Sequence, residues 1–207
     1  MDANTTPFRL PLIAILRGIT PDETPAHVRA LVEEGYDAIE IPTNSAAWQE
    51  SVAIAVREFS VDAHIGAGTV LTLAHVDALV DAGGTLAVTP NTNPSVIRHA
   101  VERCLLVAAG CATASEAFAA LEAGAQLLKL FPASIYGPAM VRALRSVLPP
   151  VPLFAVGGVT PDTLPGYLSA GCAGAGIGGE LYKPGQSADA TRAHARVFRQ
   201  AWLDHAA

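Results

Sequence analysis

The chain has 207 residues, of which 51% are hydrophobic and 15% are charged, and its formal net charge is −6. We therefore expect one core-rich domain over residues 1–207, with a short N-terminal tail at residues 1–8. The acidic balance and the scattered arginines argue against a nucleic-acid-binding surface, and no apolar run reaches the roughly 18 residues of a membrane span.

The first residues and the cysteines bear on the cellular compartment. Residues 1–7 contain no basic segment followed by an apolar one, which is the pattern of a signal peptide. The cysteines are odd in number and lack the spacing of a redox or metal motif. We therefore expect a cytoplasmic protein, in which Cys111 is a small packing residue because nothing supplies it with a base.

Four segments share one pattern, in which a helical stretch ends in glycine and a short apolar run follows. The glycines are Gly35, Gly83, Gly124 and Gly171. Glycine directly after a helical pattern is a C-cap signal. Four further apolar runs fall between these units, so that about eight predicted strands alternate with helices. The predicted strands are residues 12–16, 38–41, 64–67, 86–89, 105–108, 127–131, 153–156 and 173–177.

Regular alternation of strands and helices predicts a parallel sheet, and eight units predict a closed (β/α)₈ TIM barrel. An open, doubly wound sheet is the alternative, but no G-x-G-x-x-G motif follows the first strand. Thr20 and Thr160, each followed by proline, are the predicted N-caps of two helices. Residues 189–202 are predicted to form the closing helix.

Two predicted strands each contain one charged side chain among apolar neighbours. Glu40 lies in the second strand, and Lys129, one of only two lysines in the chain, lies in the sixth. Both stand five residues after a C-cap glycine, as do Val88 and Gly176. Because alternate strands of a barrel contribute to one interior layer, we predict that Glu40 and Lys129 face that layer from opposing strands.

This pairing of a lysine with a carboxylate favours catalysis. A lysine among leucines loses hydration, which lowers its pKa and leaves part of the amine neutral, and a neutral amine attacks carbonyl groups. The alternatives are a lysine that reaches water from the strand end and an ion pair kept for structure. We favour catalysis because both charges lie where barrel enzymes place their chemistry.

Other predicted strand ends carry groups suited to binding a ligand. Arg17 ends the first strand, and its guanidinium can bind a carboxylate or a phosphate, although a surface ion pair is the alternative. Thr69 follows the glycine-rich end of the third strand and offers a hydroxyl group. The fourth strand runs into Pro90, which we count among the substrate-binding positions.

Glycine-rich turns end the seventh and eighth predicted strands, at residues 156–159 and 176–179. Each turn leads towards a helix N-terminus, where barrels of this type bind phosphate through backbone N–H groups. Tight turn geometry alone is the alternative explanation. The histidines show no metal-ligand spacing, which disfavours a metal-dependent mechanism and leaves Lys129 as the electrophilic catalyst.

Several motifs together resemble the class I 2-keto-3-deoxy-6-phosphogluconate/phosphogalactonate aldolases over nearly the whole chain, and the galactonate type most closely. The motifs are residues 11–21, Glu40-Ile41-Pro42 with Asn44-Ser45, Ile65-Gly66-Ala67-Gly68-Thr69-Val70-Leu71, Leu128-Lys129-Leu130-Phe131-Pro132 and residues 154–161. The resemblance implies a (β/α)₈ barrel, usually trimeric, that splits a phosphorylated keto-deoxy sugar acid into pyruvate and D-glyceraldehyde 3-phosphate without a metal or another cofactor.

The same resemblance implies roles for individual residues. Lys129 would be the Schiff-base residue, and Glu40 would be the general acid/base. The implied binding residues are Arg17 and Thr69 at the pyruvyl end, Phe131 beside the lysine, Val156 at a position that orients the substrate, and Gly158, Gly178 and Gly179 at the phosphate.

Two positions bear on the substrate. Asn44 stands where many gluconate-type relatives carry arginine, and Gly179 stands where relatives usually carry serine. The C4 epimer of the substrate stays open between galactonate and gluconate. From the residues themselves, a phosphosugar isomerase or epimerase, with Glu40 as base, and a non-catalytic phosphometabolite-binding barrel remain as alternatives.

Overall fold

The computed structural model describes residues 5–206, and eight parallel strands in it close into a barrel in chain order, each followed by a helix. The strands are β1 (Leu12–Ile15), β2 (Ala38–Pro42), β3 (His64–Gly68), β4 (Leu86–Val88), β5 (Leu106–Cys111), β6 (Leu127–Leu130), β7 (Leu153–Val156) and β8 (Gly174–Ile177). The helices are α1 (Thr24–Glu33), α2 (Trp48–Phe59), α3 (Leu73–Asp81), α4 (Pro94–Glu102), α5 (Ala114–Glu122), α6 (Ala133–Arg145), α7 (Leu164–Ser169) and α8 (Ala188–Ala206). This confirms the predicted TIM barrel over the doubly wound sheet.

The four glycines that set the predicted repeat do end helices. Gly35, Gly83, Gly124 and Gly171 follow α1, α3, α5 and α7, and all four have positive φ angles between 80° and 109°. An L-residue with a side chain is strained in that conformation, whereas glycine is not. The repeat therefore marks the point where each of these helices stops before the next strand begins.

The predicted N-caps at Thr20 and Thr160 are wrong. The helices α1 and α7 begin at Thr24 and Leu164, so both threonines open a turn that precedes the helix. The side chain of Glu23 accepts hydrogen bonds from the backbone N–H and the hydroxyl of Thr20. These local bonds stabilise a separate turn, and proline then stands at the first or second helical position, Pro25 in α1 and Pro165 in α7.

The core has two layers, one inside the barrel and one between the strands and the helices. The inner layer includes Ile15, Leu86, Val88 and Phe154. Phe8 also belongs to it, because its ring centroid lies 6.0 Å from that of Phe154. Phe8, the last residue of the predicted tail, therefore packs in the core, while residues 1–4 lie outside the described part of the chain.

The layer inside the barrel contains the residues that the sequence predicted for it. Val88 packs in the inner layer, and a Cβ atom at Gly176 would lie 2.9 Å from Val156 Cγ2, which also faces inwards. Glu40 and Lys129 are buried on β2 and β6, on opposite sides of the barrel.

No helix among residues 5–206 is long and apolar enough to cross a membrane.

Candidate active site

A cavity of about 540 Å³ opens at the C-terminal ends of the strands. Its volume suits a small metabolite. Nine of the predicted site residues line the cavity: Arg17, Thr69, Pro90, Lys129, Phe131, Val156, Gly158, Gly178 and Gly179. The tenth, Glu40, does not line the cavity and lies buried in the barrel wall.

Lys129 is held in the barrel wall by strand pairing on both sides. Its register partners are Gly110 on β5 and Phe154 on β7, and only 6% of the residue is exposed. Burial lowers the pKa of Lys129, and the nearby charge of Glu40 opposes this shift. The structure therefore rejects the alternative of a lysine extended into bulk water, and it leaves an amine that loses its proton more readily than usual.

Glu40 is almost completely enclosed, with 1% of the residue exposed. Burial raises the pKa of its carboxyl to about 7, against the opposing charges of Lys129 and Arg17. Its Oε2 atom has no hydrogen-bond partner among the described residues. A carboxyl with a pKa near neutrality can both give and take protons at physiological pH, which is the property required of a general acid/base.

Gly68 allows Glu40 to occupy this place. A Cβ atom at Gly68 would lie 1.7 Å from Glu40 Oε2, which is far inside van der Waals contact. Any side chain here would displace the carboxylate, so the glycine at the end of β3 is required by the position of the acid.

Among the described residues, no direct ion pair forms between Glu40 and Lys129, although each charge shifts the pKa of the other.

Arg17 and Thr69 line the cavity from the segments after β1 and β3. The guanidinium of Arg17 donates to Asn44 Oδ1, which orients the side chain. Thr69 has a φ of +56°, which is unusual for a β-branched residue, and its carbonyl accepts a hydrogen bond of 2.6 Å from the Thr43 hydroxyl. Strained backbone of this kind persists where surrounding contacts enforce it, and it is concentrated at functional sites.

The glycine turns after β7 and β8 also line the cavity. Gly158 has a φ of +73°, and a Cβ atom there would lie 2.6 Å from the Ser134 hydroxyl oxygen. By contrast, a Cβ atom at Gly179 would meet nothing within 4 Å. The first glycine is therefore required by the packing, whereas the second leaves open space beside the cavity.

Phe131 lines the cavity beside the lysine. Its ring centroid lies 5.1 Å from Lys129 Nζ, and the residue is 38% exposed. Gly157 makes room for this ring, because a Cβ atom there would lie 3.1 Å from it.

Cys111, by contrast, is buried, and burial raises the pKa of its thiol to about 12, in keeping with a packing residue rather than a nucleophile.

Sequence reasoning missed three neighbouring residues that line the same cavity. They are Tyr182, Lys183 and Pro184, in the segment between β8 and α8. This segment follows the predicted glycine turn and has no strand or helix pattern that would have placed it. One signal was available, since Lys183 is the second of only two lysines in the chain.

Comparison with known proteins decides the family. The sequence pattern of the family described as KDPG and KHG aldolase matches residues 6–196. This chain belongs to that aldolase family. The 2-dehydro-3-deoxy-6-phosphogalactonate aldolase of Escherichia coli K12 is 54% identical to it over 197 residues, which are 95% of this chain and 96% of the relative.

Two solved structures agree with this assignment. A structure described as native KDPGal superposes with a TM-score of 0.96 and 52% identity, and the match covers 100% of this chain and 99% of the other. A cube-shaped cage designed by fusing symmetric oligomeric domains superposes with a TM-score of 0.94 and 53% identity, over 96% of this chain and 74% of the other. The aldolase is thus a carbon–carbon lyase of the class I type, as the sequence predicted.

Proposed function

We propose that this aldolase cleaves 2-dehydro-3-deoxy-6-phospho-D-galactonate to pyruvate and D-glyceraldehyde 3-phosphate through a Schiff base on Lys129. The observation that carries this proposal is the pairing of a buried amine of lowered pKa with a buried carboxyl whose pKa is about 7. The similarity to the galactonate aldolase of E. coli supports the substrate.

The reaction begins with attack of the neutral Lys129 amine on the C2 ketone of the substrate. Loss of water from the carbinolamine gives a protonated imine, and Glu40 supplies and accepts the protons of these steps. Removal of the C4 hydroxyl proton by Glu40, directly or through a water molecule, breaks the C3–C4 bond. The bonding electrons pass into the imine, which becomes an enamine as the aldehyde leaves.

The second half of the reaction releases pyruvate. The enamine takes a proton at C3 and returns to an imine, and water then adds to that imine. Collapse of the carbinolamine frees pyruvate and restores the amine of Lys129. Because Lys129 begins and ends neutral, burial of its amine supports both the first attack and the last release.

The residues that line the cavity suit the two anionic groups of this substrate. Arg17 and Thr69 are proposed to bind the carboxylate next to the ketone, and the glycine turns at Gly158, Gly178 and Gly179 are proposed to bind the phosphate through their N–H groups. Pro90, Phe131 and Val156 would contact the carbon chain of the substrate, since all three line the cavity.

Substitution of Thr43 by valine tests how much the strained backbone conformation of Thr69 contributes to kcat/KM. The variant keeps the shape of the side chain but loses the hydroxyl that binds the Thr69 carbonyl. We expect kcat/KM to fall roughly tenfold. This corresponds to a loss of about 1.4 kcal/mol of transition-state stabilisation, because Thr69 would be positioned less firmly. Thr43→Ser retains the hydroxyl and is expected to stay within about twofold of wild type. Equal loss in both variants, or no loss in Thr43→Val, would exclude this role.

The gluconate epimer is the second candidate substrate, because it differs only in the orientation of the C4 hydroxyl. Asn44 in place of arginine favours the galactonate epimer, and Asn44 is the acceptor that the Arg17 guanidinium uses here. Pyruvate release from both epimers, followed with lactate dehydrogenase and NADH, tests the choice. We expect a higher kcat/KM for galactonate, and a preference for gluconate would replace this substrate assignment.

The same experiments separate the aldolase from the alternatives that the residues left open. An isomerase or epimerase would release no pyruvate, and a binding protein would gain thermal stability with ligand but would produce nothing. Family membership already favours the aldolase. Borohydride reduction in the presence of pyruvate completes the test, since only an imine is trapped covalently.

We further propose that the enzyme is a cytoplasmic homotrimer. The similarity to a cage built from symmetric oligomeric domains supports an oligomer. Apolar side chains on the outer surface, including Leu71, Leu73 and Phe118, are partly exposed and leave apolar area for subunit contacts. Light scattering coupled to size exclusion measures the subunit number, and cell fractionation measures the compartment.

A further inference from the structure

The cavity is far more positive than the protein as a whole. The formal net charge of the chain is −6, yet the lining includes the guanidinium of Arg17 and the amines of Lys129 and Lys183, and no aspartate or glutamate. Such a local concentration of positive charge attracts an anionic ligand despite the overall charge of the protein. Arg17 and Lys129 have proposed partners in the reaction, while Lys183 has none.

Lys183 carries a cation that is free to bind a ligand. It is exposed, and no carboxylate of the described residues forms an ion pair with it. It borders Gly179 in two adjoining cavities, the substrate cavity and a smaller one of about 200 Å³. Lys183 therefore lines the site together with Gly179.

The backbone that carries Lys183 is fixed from several directions by Gln186. The side-chain oxygen of Gln186 accepts from the Lys183 N–H at 3.1 Å, and its Nε2 atom donates to the Leu181 carbonyl at 2.9 Å and the Thr191 hydroxyl at 2.6 Å. The Gln186 N–H in turn donates to the Lys183 carbonyl at 3.1 Å. The segment thus holds the base of a flexible side chain in one place at the rim of the cavity.

The neighbouring glycine explains why a cation is useful at this point. Gly179 provides no hydroxyl to a bound anion, and the space around it is empty to 4 Å from an added Cβ atom. A lysine ammonium can enter such a space and donate a charge-assisted hydrogen bond, which is stronger than the bond from a neutral hydroxyl.

We propose that Lys183 is a substrate-binding residue that contacts the phosphate of the substrate and supplies the interaction that Gly179 cannot make. This inference rests on the proposed function, because it requires a phosphorylated substrate whose phosphate lies at the glycine turns. Its role is binding rather than chemistry, since the imine forms on Lys129.

The test compares Lys183→Met and Lys183→Arg on a substrate with and without its phosphate, 2-dehydro-3-deoxy-D-galactonate being the latter. Lys183→Met is expected to lower kcat/KM for the phosphorylated substrate by roughly tenfold to a hundredfold, mainly through KM, as for loss of a hydrogen bond to a charged group. The unphosphorylated substrate should be unaffected, and Lys183→Arg should retain most of the wild-type kcat/KM.

Arg98→Met is the matched control for the change in net charge. Arg98 is an exposed cation on α4 that does not line the cavity, so its removal alters the overall charge without touching the site. An equal loss on both substrates in Lys183→Met would overturn the proposal, as would no loss on either. The same holds if Arg98→Met reproduces the phosphate-specific loss, because the effect would then be one of overall charge.

A binding measurement separates this proposal from the proposed function. Titration calorimetry with inorganic phosphate is expected to show roughly tenfold weaker binding to Lys183→Met than to wild type and to Arg98→Met. This comparison holds whichever keto acid the enzyme cleaves. If wild type released no pyruvate from either epimer, the proposed function would fail while the phosphate titration still decided the role of Lys183; equal affinities for phosphate would overturn that role.

Discussion

Replacement of Lys129 by alanine is expected to lower kcat for pyruvate release by at least about 10⁴-fold, because the variant has no amine to form the imine. Without the imine, the electrons of the breaking C3–C4 bond have no acceptor, and Glu40 alone cannot supply one. The measurement is the lactate dehydrogenase assay on the phosphorylated galactonate, with circular dichroism to establish that the barrel remains folded.

Lys129→Arg separates the nucleophile from the charge. Arginine keeps a cation at the same position on β6, but its guanidinium stays protonated and does not attack ketones. We expect this variant to be as inactive as Lys129→Ala. Activity above about one per cent of wild type in either folded variant would remove the Schiff base on Lys129 from the mechanism.

Replacement of Glu40 by glutamine is expected to lower kcat by about 10²- to 10⁴-fold, the usual contribution of a general acid/base. Glutamine nearly preserves the volume of the side chain above Gly68, so the packing that a longer or shorter residue would disturb is retained. Lys129 stays in place, and slow trapping of pyruvate by borohydride is therefore expected to persist. Unchanged kcat in this variant would assign the proton transfers to another group.

The same substitution should make the protein more stable at alkaline pH. The carboxyl of Glu40 has a pKa of about 7 in the folded protein, against an ordinary value of 4.5, so the folded state holds this proton over a range in which the unfolded state has lost it. The contribution of the Glu40 carboxyl to the free energy of unfolding is therefore fully present below about pH 4.5 and is lost as the pH rises through 7.

Urea unfolding at pH 5 and pH 8.5 tests whether the contribution of Glu40 to stability is lost at alkaline pH. At pH 8.5, the free energy of unfolding of Glu40→Gln is expected to be up to about 3 kcal/mol higher than that of wild type. Loss of the carboxylate also removes the charge that favours protonated Lys129, which offsets part of the gain. Near pH 5 the difference should be small. A wild-type protein more stable than Glu40→Gln at pH 8.5 would contradict the raised pKa.

Local patterns in the sequence predicted the barrel and its two central charges, because each depends on neighbours along the chain. Glycine at positions such as Gly35 and Gly124 stops a helix by a backbone requirement that no other residue meets as easily. Counting onwards from these glycines placed Glu40 and Lys129 inside the barrel, where burial accounts for both pKa shifts.

The features that sequence reasoning missed depend on contacts between distant segments. Glu40 fits only because Gly68 on the next strand lacks a side chain, and Thr69 adopts a positive φ beside a hydroxyl from Thr43. Phe8 packs in the barrel although its local sequence resembles a tail. Lys183 reaches the cavity in an irregular segment, where no periodicity indicates which residues face the site.

Mapping of a trapped adduct tests the central claim most directly. Wild-type protein is incubated with pyruvate and sodium borohydride, digested and analysed by mass spectrometry. Since the chain has only two lysines, the reduced pyruvyl group has few places to be found. The mechanism predicts one adduct per chain, on Lys129. An adduct on Lys183 instead, or no adduct in an enzyme that releases pyruvate, would contradict it.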